Sequence, residues 1–460
     1  MTKTPSFPPL RTRQARYEAG VALRKTVKRS SHALWVPPAK RPDPIGILLE
    51  QGKSRIADLL PIRHQRMKAS PFAFLRGAAA VMASDLSFTP ETGLRVQSCG
   101  DCHLDNFGCY PSPEGLPVFD INDFDETAPA TFEWDLKRLA TSLVLAGREA
   151  SLSEKHCRRL AVSAIQHYVD EIARLSKLPP LQAWNERIDL RAVIDGIVDD
   201  RIRTGMMEKI QSELGAISGH FGMIDPKSAG RLKEHPPFVT RLPQHNDIVR
   251  GAFARYVSDL PPERRIVLER YALQDVLFKV VGIGSVGTFC ALGLFTTADN
   301  EPLILQIKEA QTSVLEPFQG AVDLPNHGER VVTGQRIMQA SSDTFLGWTH
   351  TTGKRTTDQT GRKAGGGRDF YVRQTKDVRL AMIGEKIEDA LLPEYAALCG
   401  RTLGRSHGRS ADLPLLAGYL GKGHSFARAI ADFAVLYADQ SEKDWKAFTQ
   451  AIADKRVCCA

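Results

Sequence analysis

The sequence predicts an α+β protein of two lobes, one mainly helical and one built on consecutive strands. Three observations lead there. Residues 44–87 and 133–176 carry apolar side chains at helical spacing, as in EWDLKRLATSLVLAG. Residues 275–310, DVLFKVVGIGSVGTFCALGLFTTADNEPLILQIKEA, are rich in β-branched and aromatic residues around glycines and read as three strands with two turns. After residue 380 the pattern returns to helix. These shifts divide the chain into a basic tail over 1–43, a helical lobe over 44–258, a β-rich lobe over 259–380, and terminal helices over 381–460 that rejoin the helical lobe.

The tail is set apart by charge. Residues 1–42 hold ten lysines and arginines and one acid, Glu18, so the net charge of +8 resides almost wholly there. Such a stretch reads as a solvated, mobile arm, and no nucleic-acid-binding motif accompanies it. It ends at the Pro-rich VPPAKRPDP. Ser70-Pro71 then signals a helix start, because serine caps and proline suits the first helical position.

The N-terminal residues show no apolar leader, and no apolar run approaches the length of a membrane span. Eight cysteines in 460 residues show no regular disulfide framework. Both features predict a reduced, cytoplasmic protein without a transmembrane segment.

In the β-rich region, Gly282, Gly284 and Gly287 form G-x-G-x-x-G, with Ser285 inside it. A dinucleotide fold would continue from such a loop into a helix. Here TFCALGLF follows, a poor helix and a good strand. A strand–turn–strand hairpin fits better, as in the protein-kinase lid that covers nucleotide phosphates with backbone N–H groups. Twenty-one residues after Gly287, Lys308 ends the apolar strand LILQIKEA, which matches the V-A-I-K pattern whose lysine contacts phosphates. That lysine needs an acid on the following helix. Glu329, in GERVVTGQRIMQ, is the first candidate and Glu316 the second. Two further strands, in DTFLGWTH and DFYVRQTKD, flank the basic loop over 354–368.

Residues 98–108, SCGDCHLDNFG, carry two overlapping patterns. Cys99-x-x-Cys102-His103 is the spacing that attaches c-type haem, and Cys99, Cys102, His103 and Cys109 are also zinc-type ligands. Asp101 to Asn106 is D-x-x-x-x-N, the spacing of a phosphoryl-transfer loop: an aspartate for the acceptor hydroxyl and an amide oxygen for Mg²⁺. Downstream, VFDINDFDE supplies Asp120, Asp123, Asp125 and Glu126. Asp123 is the favoured metal carboxylate, with Asp120 a second candidate. Strand alternation sets Asp120 and Asp123 on different faces. Hard oxygen donors suit Mg²⁺ better than zinc. Asp135, at the head of the next helix, either caps it or reaches back to the loop.

GDCHLDNFG followed by DFDE and WDLKRLA resembles the aminoglycoside phosphotransferase and choline kinase group of protein-kinase-like enzymes. SPFAFLRGAA, GDCHLDNFG, FDINDFDE, GQRIMQ and FYVRQTKD together resemble an uncharacterised bacterial family, domain of unknown function 2252, over roughly residues 45–440. The resemblance implies a kinase-like fold, ATP and Mg²⁺ as cofactors, Asp101 as catalytic base, His103 as the motif's second histidine, and Asn106 and Asp123 as metal ligands. Cys99 stands where the phosphotransferases have histidine. The order of parts also differs, because the catalytic loop precedes the glycine loop, so the implied fold is circularly permuted. The helix around His407, ALCGRTLGRSHGRSAD, resembles the one that leads into the catalytic loop. The expected activity is ATP-dependent phosphoryl transfer to a hydroxyl on a small molecule or protein. A nucleotide-binding regulatory module and an AMP transferase are the alternatives.

Overall fold

In a computed structural model of the chain, the described residues are 11–195, most of 222–351, 367–375 and 392–459, with a few positions between 200 and 208. The helical lobe begins with α1 (Arg13–Leu23), α2 (Pro44–Gly52), α3 (Leu60–Lys68), α4 (Pro71–Gly77) and α5 (Ala79–Leu86). Their starts follow from local chemistry. Ser70 Oγ accepts from Ala73 N–H at 3.1 Å, and Pro71 occupies the first position of α4. Asp43 caps α2 through Ile45 N at 3.2 Å and Gly46 N at 3.1 Å.

Two small antiparallel pairs follow. β1 (Arg95–Ser98) pairs with β4 (Ala128–Thr131), and β2 (Phe107–Pro111) forms a hairpin with β3 (Pro117–Ile121). Helices α6 (Glu133–Glu149) and α7 (Glu154–Leu175) follow and pack on each other. The β-rich lobe is one antiparallel sheet in the order β5-β6-β7-β8-β10-β9. Its strands are β5 (Val239–Thr240), β6 (Ala272–Lys279), β7 (Cys290–Thr296), β8 (Pro302–Ala310), β9 (Gly347–His350) and β10 (Asp369–Gln374). Helix α8 (Pro243–Asp259) covers the sheet, and α9 (His327–Met338) connects β8 to β9. The chain ends in α10 (Leu392–Gly408), α11 (Leu413–Leu420) and α12 (His424–Ala453), which return to the helical lobe. The α+β class and the β6–β7–β8 run match the sequence expectation, and no helix of the described residues is long and apolar enough to cross a membrane.

Each lobe has its own apolar core. Leu139, Leu143, Ile165, Leu403, Phe426 and Phe433 interlock α6, α7, α10 and α12. Phe253, Tyr256, Phe278, Phe295, Leu305 and Val372 join α8 to the sheet. Burial of these side chains at roughly 25 cal/mol per Å² is the main force holding each lobe together.

The basic segment departs from expectation. From residue 13 it is packed, and its arginines explain why. Arg24 Nε donates to Tyr419 O at 2.9 Å and its Nη2 to Gly418 O, while Arg29 Nη1 donates to Leu420 O at 2.7 Å. These are the last carbonyls of α11, which lack partners within the helix and sit at the negative end of its dipole. Arg41 bridges Asp85 of α5 and Asp444 of α12, with contacts from 2.5 to 2.8 Å. Cationic residues that suggest a solvated arm from composition alone are used here as helix caps and bridges.

Helix α1 crosses α11 at contact distance. A Cβ at Gly418 would lie 2.0 Å from Tyr17 O, and one at Gly20 would lie 2.0 Å from Leu415 O. Any side chain at Gly418 must push rigid backbone aside. Gly418→Ala is therefore expected to destabilise the protein by about 1–3 kcal/mol, read as a lower urea midpoint, with the clasp at Arg24 and Arg29 loosened.

Candidate active site

The loop after β1 is shaped by a carboxylate from the helix behind it. Asp135, in the first turn of α6, accepts from Cys99 N at 2.9 Å and Gly100 N at 3.1 Å. His407 Nε2, from α10, lies 3.0 Å from the same carboxylate, and Tyr168 OH lies 3.1 Å from His407 Nδ1. Of the two roles open to Asp135, the structure gives the reach to the loop. Gly100 has φ +81°, and a Cβ there would meet Glu126 O at 2.2 Å. Only glycine fits that left-handed, crowded position.

The turn presents Asp101. Its Oδ1 accepts from Arg138 Nε at 2.6 Å, with Arg138 Nη2 closer still. Burial raises the Asp101 pKa, Arg138 opposes the rise, and the Asp123 charge adds to it. His103 Nε2 lies 3.7 Å from Asp101 Oδ2. Asn106 Nδ2 donates to Asp101 O at 2.5 Å, and Asn106 O accepts from Asn122 N at 2.8 Å, which ties the loop to the segment after β3.

That segment carries the acids. Asp123 Oδ1 accepts from Asp125 N at 3.2 Å. Asp125 pairs with Lys308 Nζ from β8 and accepts from Tyr371 OH of β10 at 2.9 Å. Burial opposes the charge on Lys308, but Asp123 and then Asp125 outweigh it and raise its pKa. Arg373, two residues beyond Tyr371 on the same strand face, donates to Asn122 O at 3.3 Å and Gln306 Oε1 at 2.9 Å. Arg330 of α9 closes the rear, with Thr127 O at 2.5 Å, Asp125 O at 2.8 Å and Gln311 O at 2.7 Å. The side chains of β8 and β10 thus meet the Asp123 segment directly.

The glycine turn lies on the other side of Asp101. Residues Ile283–Ser285 form one 3₁₀ turn between β6 and β7, and a strand rather than a helix follows Gly287. A Cβ on Gly284 would lie 3.7 Å from Asp101 Oδ2 and 3.6 Å from Arg76 O. Gly287 O accepts from Ile56 N at 2.8 Å, and Arg55 Nη1 donates to Val286 O at 2.6 Å.

A family described as an uncharacterized protein conserved in bacteria, DUF2252, matches residues 55–451. The chain belongs to this family. No curated protein and no solved structure matches it. The DUF2252 span contains the loop, the acids, the glycine turn and Lys308, and it leaves α1 and α2 outside.

The structure brings Asp101, His103, Asn106, Asp123, Gly284 and Lys308 into one region, and it moves other expected residues elsewhere. Asp120 is wholly buried on the opposite face of β3, where Arg405 Nη2, Ile121 N at 2.9 Å and Ala340 N at 3.1 Å bind it. Strand alternation turned it from the site. Neither Glu329 nor Glu316 holds Lys308. Glu316 faces Arg330 at 3.6 Å and accepts from Ser313 N at 3.1 Å, and Glu329 lies at the capped start of α9. The lysine's partner is Asp125, from the acid segment itself. The side chain of Ser285 and most of the loop over 354–368 lie outside the described residues.

Haem attachment has no room. Cys99 and Cys102 are 0% exposed in the apolar core, and burial raises both thiol pKa values, that of Cys102 to about 11. Cys99, Cys102 and Asp135 do converge within 4.8 Å, but the Asp135 oxygens already take two N–H groups and His407. Among the described residues, that convergence includes neither His103 nor Cys109.

Arg138 and Tyr371 are the main omissions from the sequence reading. Arg138 lies three residues after Asp135, one turn on along the same helix face, so the motif WDLKR held the signal.

Glu126 gives a pH test. Burial raises its pKa from 4.5 to about 7, although Val314 N donates to it. The folded protein therefore holds a proton that the unfolded chain has lost between these values. Stability from this group is present below pH 4.5 and falls as pH rises through about 7. Glu126→Gln is expected to flatten the stability–pH curve across that window by up to about 3 kcal/mol, measured by urea unfolding at a series of pH values.

Proposed function

We propose that this protein is an ATP- and Mg²⁺-dependent phosphotransferase with a circularly permuted kinase-like fold. The observation that carries the reading is the meeting of Lys308 from the sheet lobe with the Asp123–Asp125 segment, beside Asp101, although these residues are some 180 apart in sequence. The topology supports it. Five strands run in the order β6-β7-β8-β10-β9, with the glycine turn between the first two, the lysine on the third, and α9 before β9. Kinases use the same parts for the same tasks.

The residues fit the cofactors. Asp123 has one hydrogen-bond donor among the described residues, Asp125 N, so its carboxylate remains open to a hard cation. Asn106 has its Nδ2 on Asp101 O, which leaves the amide oxygen as its available donor atom. Mg²⁺ would neutralise charge on the triphosphate. Lys308 would hold the α- and β-phosphates. Asp101, kept next to Arg138, would accept the acceptor hydroxyl proton as that oxygen bonds to the γ-phosphorus and ADP leaves with the electron pair of the broken P–O bond. A Cβ on Gly284 would reach Asp101 at 3.7 Å, so the glycine turn borders the path an acceptor would take.

Lys308→Ala and Asp123→Asn are each expected to lower ATP turnover at least 100-fold, while the double change Cys99→Ser and Cys102→Ser keeps ATP binding. Calorimetry with Mg·ATP and nucleotide consumption against candidate acceptors check this. ATP binding without turnover would indicate the regulatory module, and product carrying AMP would indicate the transferase. Unchanged turnover in both single variants would remove the assignment.

A further inference from the structure

We propose that Arg55, Arg63 and Arg76 form a binding site for a phosphate-class dianion beside the glycine turn. All three come from the segment over 55–77 that packs against that turn. Arg55 reaches Val286 O, the carbonyl of Arg76 faces Gly284, and Arg63 Nη2 donates at 2.6 Å to Gly77 O, the carbonyl next after Arg76.

The decisive residue is Arg63. It is 0% exposed. Its Nη2 also meets Gln51 Oε1 at 3.1 Å, but Nε and Nη1 have no acceptor among the described residues. No carboxylate pairs with it there, and the charge that acts on it is another cation, Arg55. A dry guanidinium facing a like charge is among the most expensive arrangements a fold can contain. Arg55 Nε and Arg76 Nε are also buried without acceptors, although Glu126, Asp125 and Glu309 act on Arg55, and Arg76 pairs through Nη1 with Asp105 at 2.7 Å and lies over the Phe72 ring. The same positive field reaches the neighbouring His64, whose pKa burial lowers and Arg63 and Arg55 lower further.

Unfilled donors on three guanidinium groups call for an acceptor with several oxygens and negative charge. Arginine forks match phosphoryl oxygens in pairs, which a lone carboxylate would not fill. The proposal rests on the phosphotransferase reading only for the molecule that carries the anion: a phosphate of the nucleotide, or a phosphate already on the acceptor.

The full chain should be titrated with inorganic phosphate and pyrophosphate against sodium chloride at matched ionic strength, by calorimetry and thermal melting. A saturable rise in melting temperature is expected. Arg63→Met should leave the free protein at least as stable and weaken the anion at least about tenfold. Arg55→Gln should weaken it similarly and decides the matter if Arg63→Met does not fold. Absence of a saturable response in the parent, or a response unchanged in the variants, would overturn the site. Lys308→Ala separates the two readings. Retained phosphate binding with lost ATP binding upholds both, and retention of both ligands sinks the nucleotide assignment while leaving this one. Competition between pyrophosphate and ATP assigns the anion to the nucleotide, and simultaneous binding assigns it to the acceptor.

Discussion

A single buried carboxylate, Asp135, holds the candidate site in shape. It accepts the N–H groups of Cys99 and Gly100 and meets His407 from a helix near the other end of the chain. Unpaired N–H groups at this depth cost about 1–3 kcal/mol each. One carboxylate thus ties the loop backbone to α6 and, through His407, to α10. Asp101 follows Gly100 directly, so a residue outside the reacting atoms fixes where its carboxylate lies.

The second connection joins the lobes. Lys308 and Tyr371 project from adjacent strands onto Asp125, and Arg373 reaches Asn122 O from the same strand as Tyr371. In a poorly solvated cleft these contacts are stronger than on the surface. They place the ammonium group beside two carboxylates, and that proximity accounts for its raised pKa. The protein anchors the lysine from the acid segment, so a movement of Asp123 is transmitted to Lys308 through one intervening residue. In the arrangement expected from the sequence, with a helix glutamate as anchor, the two would move separately.

Much of this was legible in the sequence, for identifiable reasons. Helical periodicity and the β-branched run mark the helices and the β6–β7–β8 strands, since both report which faces are buried. The spacing of Asp101 and Asn106 found the loop because it reflects a single local turn. Strand alternation, legible in the sequence, sets Asp120 apart from Asp123, and its partners Arg405 and Ala340 lie far along the chain. The partner of Lys308 was missed because its position depends on long-range packing of β8 against the acid segment, which no local pattern encodes. The same holds for the N-terminal arginines. Their role is set by the exposed carbonyls at the end of α11, hundreds of residues away. Charge in a sequence identifies a need for partners but not where they lie.

The glycine turn shows how packing and chemistry constrain each other. Ile283, between its first two glycines, packs among Met67, Phe74 and Val81. Gly284 meanwhile lies where an added Cβ would come within 3.7 Å of Asp101 Oδ2. Apolar contact thus holds the turn down over the loop, and lifting it exposes Ile283 to water at a cost of about 1–3 kcal/mol. The arginines from the same segment lie with unfilled donors alongside. The closed turn satisfies the apolar side chain and leaves these donors unfilled. A ligand lifts the turn only by binding the lifted form more tightly than the closed one, so the burial of Ile283 sets the least differential affinity that such a movement requires.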